Sequence, residues 1–445
     1  MNEKRIELLV KLAELRRTIS GVTLCLANGL KDEEARRNTG DSIRIFSSLM
    51  EQEKLMDPVL EELCEAMQDI ILGLQSDSPK ISESEKKFGN LVEKKISREI
   101  MSEIVNEPYI EREPADLLFQ YFDIISMDIS ENVTLIFEVC HKTAHSRPMQ
   151  SFQYTMQLME KYPALLSDAK YVHAGYIYEK RAQHTFEQCP VCGGKGTPYF
   201  RAFAYQMKNF SNPHLPVKLW MRCGTCSTMY TWKFAEDFLA LSDQQKIVFP
   251  QPEKYLITRS GTTGTILAIW ADIMNHIRRH YTKGDHLLEV GIGAGDFLAV
   301  ALEMGYHVQG IEIVPENAQR VADMLKIPIW NGDFLKYDIP EKYSVIIMGD
   351  VIEHVTNPRA ALKKALSILE DDGVLWLSTP NYESSFSKLH KFTDPMWMTS
   401  NHITYFSYQG FKNLAKECGF TIEEYSVSRR YNGSMELIMR KARRE

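Results

Sequence analysis

The stretch L-L-E-V-G-I-G-A-G-D-F occupies residues 287–297. A short apolar run enters a loop carrying Gly291, Gly293 and Gly295, and an acid, Glu289, stands just before it. A dinucleotide fingerprint sets its third glycine one residue later, so that a helix N-terminus meets a pyrophosphate. The closer third glycine and the preceding acid suit a cofactor without phosphates. Gly291 and Gly293 let the backbone pass close to a ligand, and Glu289 is placed to accept from an ammonium group, directly or through water.

Outward from this loop, a second acid follows 17 residues after Gly295: Glu312, in the stretch H-V-Q-G-I-E. A carboxylate there can accept both hydroxyls of a ribose. Next comes Asn331-Gly332-Asp333-Phe334, where Asp333 can take an adenine amino group while Phe334 or Ile313 flanks the ring. These residues sit in an alternation of short apolar runs and helical patterns. Candidate strands are 286–290, 307–313, 327–330, 344–348 and 374–378, with helices at 296–304, 315–325 and 358–369. The alternation predicts an α/β fold with a doubly wound, Rossmann-like parallel sheet. Ligands of such sheets bind beyond the carboxyl ends of the strands.

In order and spacing, the glycine loop and the two later acids resemble the class I S-adenosylmethionine-dependent methyltransferases, over roughly residues 255–440. That resemblance implies S-adenosylmethionine as cofactor. Glu289 and the loop through Gly295 would hold its methionine part, Glu312 its ribose, and Asp333 with Phe334 its adenine. The stretches G-D-V-I-E-H-V (349–355), L-S-T-P-N-Y (377–382) and N-H-I-T-Y-F-S (401–407) look like the subgroup containing ubiquinone-pathway O-methyltransferases and many glycan or natural-product methyltransferases.

An O-methyl transfer needs a base for the acceptor hydroxyl. His354 and His402 are the candidates, with Glu353 beside them, because neutral imidazole titrates near physiological pH. A second possibility is a divalent ion, Mg²⁺ or Mn²⁺, on Asp350, Glu353, His354 and His402. On a turn opening a helix, Asp350, Glu353 and His354 share one face. The set resembles one used by small-RNA 2′-O-methyltransferases and by ubiquinone-pathway enzymes, where the metal lowers the pKa of neighbouring hydroxyls.

Upstream, C-P-V-C-G-G (189–194) and C-G-T-C (223–226) place Cys189, Cys192, Cys223 and Cys226 in two hooks separated by 30 residues. Two such hooks can put four thiolates on one tetrahedral Zn²⁺, and a site filled by cysteine alone is structural. Gly193 and Gly224 suit the tight turns such knuckles need. The arrangement, ahead of a methyltransferase-like region, is similar to that of deoxysugar C-methyltransferases. Between Thr185 and Lys233 lie Lys195, Arg201, Lys208, Lys218, Arg222 and Lys233 against one acid, with Phe200, Tyr205, Phe210, Trp220, Tyr230 and Trp232 interleaved. Such a face can hold nucleic acid, hold a nucleotide-sugar diphosphate, or simply pack.

The 445 residues predict two to three domains: a mainly helical region over 1–183, a zinc-ribbon-like module over 184–235 and the methyltransferase-like region over 250–445. Asp57-Pro58 reads as a helix start, with Leu60, Leu63, Met67, Ile70 or Ile71, and Leu74 behind it and 76–79 as its stop. Phe88, Leu91, Ile96, Ile100 and Ile104 mark another helix, and 114–126, 149–161 and 168–180 three more; 133–137 reads equally as strand or buried helix. These helices can serve self-association or a protein partner. A net charge of −7 gives no general reason for nucleic-acid or membrane binding, and no apolar run reaches the length of a membrane span. Acids and lysines inside M-N-E-K-R-I-E-L-L-V-K make a poor signal peptide, so the reading is cytoplasmic.

The best-supported function is a methyltransferase for a sugar, nucleotide-sugar or other small hydroxylated metabolite or glycan. The alternatives are an RNA methyltransferase that uses the basic module, and a non-catalytic cofactor-binding scaffold.

Overall fold

A computed structural model describes residues 3–29, 32–52, 58–76, 80–125, 133–164, 178–204, 215–236 and 266–443. Asp57, the stop at 77–79, most of the expected helix over 168–180, and Tyr205, Lys208 and Phe210 lie outside the described residues. The chain divides into two compact units, Met1–Leu158 and Met159–Glu445.

The first unit is helical: α1 (Glu3–Ala27), α2 (Glu33–Gln52), α3 (Pro58–Ser76), α4 (Ile81–Asn90), α5 (Arg98–Asn106), α6 (Arg112–Ile125), α7 (Val133–Lys142) and α8 (Pro148–Lys161). α7 settles the ambiguous run as a buried helix. The apolar positions Phe88, Leu91, Ile96, Ile100 and Ile104, predicted to mark one helix, are all buried, but their spacing jumps by five between Leu91 and Ile96. That jump is a π-helical turn, Leu91–Ser97, joining α4 to α5. Its wider turn keeps both residues on the core side. Ser97 Oγ bonds back to the Val92 carbonyl at 2.7 Å and accepts from the Tyr121 hydroxyl at 2.9 Å.

The second unit opens with five short strands, β1 (Gln183–Thr185), β2 (Gly196–Phe203), β3 (Val217–Cys223), β4 (Met229–Thr231) and β5 (Lys233–Ala235). After α9 (Ile266–His280) the alternation begins. Strands β6 (His286–Val290), β7 (His307–Glu312), β8 (Ile329–Asn331), β9 (Tyr343–Gly349) and β10 (Leu369–Pro380) interleave with α10 (Asp296–Glu303), α11 (Pro315–Leu325) and α12 (Pro358–Ile368). The chain ends with α13 (Ser385–His390), β11 (Thr404–Tyr405), α14 (Tyr408–Glu417), β12 (Phe420–Val427) and β13 (Ser434–Lys441).

Seven strands form one sheet in the order β12-β13-β10-β9-β6-β7-β8. The five predicted strands are parallel, as expected. The sheet is nonetheless mixed, because β13 pairs antiparallel with both β10 and β12. This hairpin went unread, although Asn432-Gly433 at its turn is a strong hairpin signal. Trp270, Phe297, Val345, Ile347 and Trp376 are among the residues packing one face of the sheet against α9 and α10.

A second sheet has the order β11-β4-β3-β2, all antiparallel. β11 comes from the region after β10, whereas β2, β3 and β4 belong to the cysteine segment. The boundary drawn between 184–235 and 250–445 is therefore crossed by a continuous ladder.

Candidate functional site

At the carboxyl end of β6 the backbone turns through three left-handed glycines, Gly291 (φ 73°), Gly293 (φ 53°) and Gly295 (φ 86°). Side chains rarely adopt these angles. Close packing adds to the demand. A Cβ on Gly291 would lie 2.7 Å from Val351 Cγ2, and one on Gly295 would lie 2.8 Å from Val321 Cγ1.

Glu289 is buried on β6, and its Oε2 has no hydrogen-bond partner among the described residues. Burial, then the nearby charges of Glu312 and Asp296, push its carboxyl well above the ordinary range, against Arg430. Such a group is short of a cation. Glu312, at the end of β7, accepts from the amides of Gly293 (3.3 Å) and Val314 (2.9 Å). Burial raises its pKa, and those amides oppose the rise. Each oxygen keeps a further acceptor direction for a ribose hydroxyl.

Asn331 closes the turn after β8 by donating to the Glu312 carbonyl at 2.9 Å. Asp333 Oδ1 accepts from the Leu335 amide at 2.9 Å, and its side chain stays part-exposed. Phe334 is buried and Ile313 is 40% exposed. As a ring neighbour, Ile313 is thus the accessible one of the two.

The second group of candidates follows β9. Asp350 has φ 56°, unusual for a residue with a Cβ. Its amide donates to the carbonyl and hydroxyl of Ser378, both at 3.1 Å, and its Oδ2 pairs with Arg430 at 3.0 Å. These bonds turn it out of the expected set of four. A single 3₁₀ turn, Ile352–His354, follows, and α12 begins only at Pro358. Glu353, His354 and His402 remain together, with one ligand atom of each within 4.8 Å of the others.

Glu353 is buried, and Thr379 Oγ1 donates to its Oε2 at 3.0 Å; burial and the Asp350 charge push its pKa well up. The imidazoles of His354 and His402 lie edge to face, with centroids 4.8 Å apart. His354 Nδ1 lies 3.0 Å from the Asn401 carbonyl. Burial lowers the pKa of both histidines, and Lys218 adds to this at each.

Two residues near these groups are not assigned to the site by the sequence. Arg430, on the turn between β12 and β13, is 4% exposed and lies over the Trp270 ring at 4.4 Å. Lys218, on β3, is buried and donates to the carbonyls of Thr399 (2.8 Å), Ser400 (3.4 Å) and His402.

The four hook cysteines converge, with their sulfurs within 4.8 Å of one another. Cys189 lies 3.6 Å from Cys226, and Cys192 lies 3.4 Å from Cys223. The two hooks are built alike. In each, the residue after the second cysteine is left-handed: Gly193 (φ 72°) and Ser227 (φ 58°). In each, that residue's amide returns to the first cysteine's carbonyl, at 2.9 and 3.1 Å. Gly224 lies in the turn of the second hook, as expected, but is not left-handed. The amides of Gly194 and Thr225 point at the sulfurs of Cys192 and Cys223, both at 3.4 Å. The bond with Cys189, helped by Thr228, pulls the Cys226 thiol down to about 4.

Of the basic and aromatic residues between Thr185 and Lys233, Arg201, Lys218, Phe200, Trp220 and Tyr230 are buried, whereas Lys195 and Arg222 are exposed. The buried five pack the second sheet.

The family described as "Methyltransferase domain" matches residues 265–425. A ubiquinone biosynthesis O-methyltransferase of Glaesserella parasuis serovar 5 (strain SH0165) is 29% identical over 109 residues, covering 22% of this chain and 46% of that protein. An uncharacterized methyltransferase of Bacillus thuringiensis (strain Al Hakam) is 31% identical over 94 residues, covering 20% and 43%. The chain thus spans about half the length of the curated relatives it matches. Among solved structures, the mitomycin 7-O-methyltransferase MmcR is 17% identical with a TM-score of 0.35, covering 46% of this chain and 60% of that one. The CcbJ methyltransferase from Streptomyces caelestis is 14% identical with a TM-score of 0.32, covering 39% and 90%. Among the described residues, no helix is long and apolar enough to cross a membrane. Residues 265–425, which carry the glycine loop, the strand-end acids and most of the mixed sheet, thus match the methyltransferase-domain family.

Proposed function

We propose that the chain is an S-adenosylmethionine-dependent methyltransferase acting on an oxygen of a sugar, nucleotide-sugar or other small hydroxylated metabolite. Adjacency is the observation that carries this reading. Gly291 of the cofactor loop packs against Val351, so the loop touches the turn that bears Glu353 and His354. The cofactor, when bound, supplies an activated methyl group. The unpartnered Glu289 Oε2 suits its ammonium, and Glu312 suits its ribose. Holding an acceptor in line contributes on the order of 7–11 kcal/mol in favourable cases.

His354 is the base we favour. The Asn401 carbonyl only accepts, so Nδ1 carries the ring proton and Nε2 keeps a lone pair. Burial lowers the pKa, so the ring is neutral at pH 7 and takes the acceptor's proton at Nε2. The names of the ubiquinone-pathway relatives support an oxygen acceptor. A second reading places a divalent cation on Glu353, His354 and His402, supported by the clustering of their ligand atoms.

The test is transfer of labelled methyl from S-adenosylmethionine to a panel of sugars, nucleotide-sugars and phenols. His354→Ala should cut turnover by ~10²–10⁴-fold with S-adenosylhomocysteine affinity nearly intact. Loss on chelation and recovery with Mg²⁺ would select the second reading. Near-normal turnover by both His354→Ala and His402→Ala would overturn both.

The cysteine cluster we assign to one structural Zn²⁺: four converging sulfurs with amides aimed at two of them match a closed site. The burial of Arg201 and Lys218 takes those two cations out of any nucleic-acid face on the module, whereas Lys195 and Arg222 are exposed.

A further inference from the structure

The cysteine segment does more than sit ahead of the methyltransferase domain. Its strand β4 pairs with β11, with Tyr230 opposite Thr404 and Met229 opposite Tyr405. Just before β11, Ile403 is held on two sides: its amide donates to the Glu353 carbonyl at 3.0 Å, and its carbonyl accepts from the Thr231 amide at 3.0 Å. Trp220 Nε1 donates to the Trp397 carbonyl at 2.9 Å, and the Tyr382 hydroxyl donates to the Ser227 carbonyl at 2.6 Å.

At the centre of this contact Lys218 places its ammonium among three carbonyls of one turn, those of Thr399, Ser400 and His402. Among the described residues no acid pairs with it: backbone oxygens accept from its donors, and its Nζ lies 4.7 Å from the Trp220 ring centroid. A lysine ammonium has three N–H donors, and three carbonyls match that number. Burial pushes the Lys218 pKa well below the ordinary lysine range, and the carbonyls of this turn are the acceptors that keep its buried donors satisfied. The same turn offers the Asn401 carbonyl to His354 Nδ1 and carries the His402 side chain.

We propose that Lys218 is a positioning residue: through the 399–402 turn it fixes both imidazoles of the site, so that the cysteine module is part of the active-site wall. Lys218 directs its hydrogen bonds to carbonyls of the turn. It acts on His402 through that residue's own carbonyl and on His354 through the turn that offers Asn401. The chemical importance of the two rings rests on the functional reading above, but their placement does not. It is therefore tested without turnover.

Histidine-labelled protein should give resolvable imidazole resonances for its 12 histidines. Lys218→Met should move the His354 and His402 signals and leave the others in place. Diethylpyrocarbonate modification of His402 should accelerate at least tenfold. S-adenosylhomocysteine, the probe for the cofactor site, should bind within twofold of wild type. A folded Lys218→Met variant with unmoved His354 and His402 signals and unchanged modification would overturn the proposal. If the variant does not fold, hydrogen exchange on the wild-type chain decides. The Ile403 amide should exchange together with the β3 amides as one cooperative unit. Exchange at the rate of an exposed turn, with β3 still protected, would overturn the proposal equally. Weak S-adenosylhomocysteine binding by the wild type would sink the functional reading while leaving the positional one standing.

Discussion

Glu289 and Glu312 end two neighbouring parallel strands, and both are buried acids whose pKa values are raised chiefly by burial. The two differ in what meets them. Glu312 has amide donors for both oxygens, whereas Glu289 Oε2 has none among the described residues. A ligand ammonium stabilises the charged form of Glu289, so binding should expel a proton wherever the free carboxyl is protonated. Affinity for S-adenosylhomocysteine should therefore rise with pH from the ordinary carboxyl range toward the raised pKa, and level off above it. Calorimetry in buffers of different ionisation enthalpy reads the released proton directly. Glu312→Ala removes the acceptor for the ribose hydroxyls and should weaken binding by about 1–3 kcal/mol, measured the same way. Both acids were legible in the sequence because the cofactor's length sets their spacing from the glycines. Arg430 and Lys218 were not. Each reaches the site across strand pairings that no local pattern records.

At the scale of elements, the two cysteine hooks set a sharper test than cysteine replacement alone. Both Gly193 and Gly224 suit the turns of the hooks, yet of these two only Gly193 is left-handed. Gly193→Ala should cost about 1–2 kcal/mol through its backbone angle. Gly224→Ala should stay within about 0.5 kcal/mol, because its nearest neighbour, the Lys195 carbonyl, would be 3.7 Å from the new Cβ. Thermal or denaturant unfolding of the two variants side by side measures the difference. The π-helical turn follows the same logic of reading. A five-residue step between Leu91 and Ile96 breaks helical periodicity, and inserting one extra residue into a turn is how a helix keeps both inside. The spacing was visible; its cause was visible only with the backbone. The β12–β13 hairpin was missed for a different reason. Glu423 and Glu424, together in the middle of β12, blur its alternation, and a register shift falls between Ile422 and Glu424.

Across the whole molecule, two features of the second unit were read separately and are physically one. The glycine loop, its acids and the alternating strands identified the fold, since local periodicity and fixed spacing specify them. The cysteine segment was read as an independent module because its hooks are self-contained in sequence. Its sheet is completed by β11, which a linear reading cannot anticipate. Elemental analysis should find one zinc per chain, and Cys223→Ser should lose it. Because of the shared sheet, that loss should also lower the melting temperature of the methyltransferase domain, followed by differential scanning calorimetry. A drop confined to a separate minor transition would show the two parts to be thermally independent.

The pairing of Thr404 and Tyr405 with β4 also has a consequence for how the chain is made. At synthesis rates of about 5–20 residues per second, the stretch from Thr231 to Tyr405 takes on the order of 9–35 s to emerge. Throughout that interval the edge of β4 that β11 covers has no partner strand. The newborn chain then depends on early metal capture or on a chaperone to pass through it unoxidised and unpaired. Translation speed and zinc supply, more than final stability, should set the yield of folded protein.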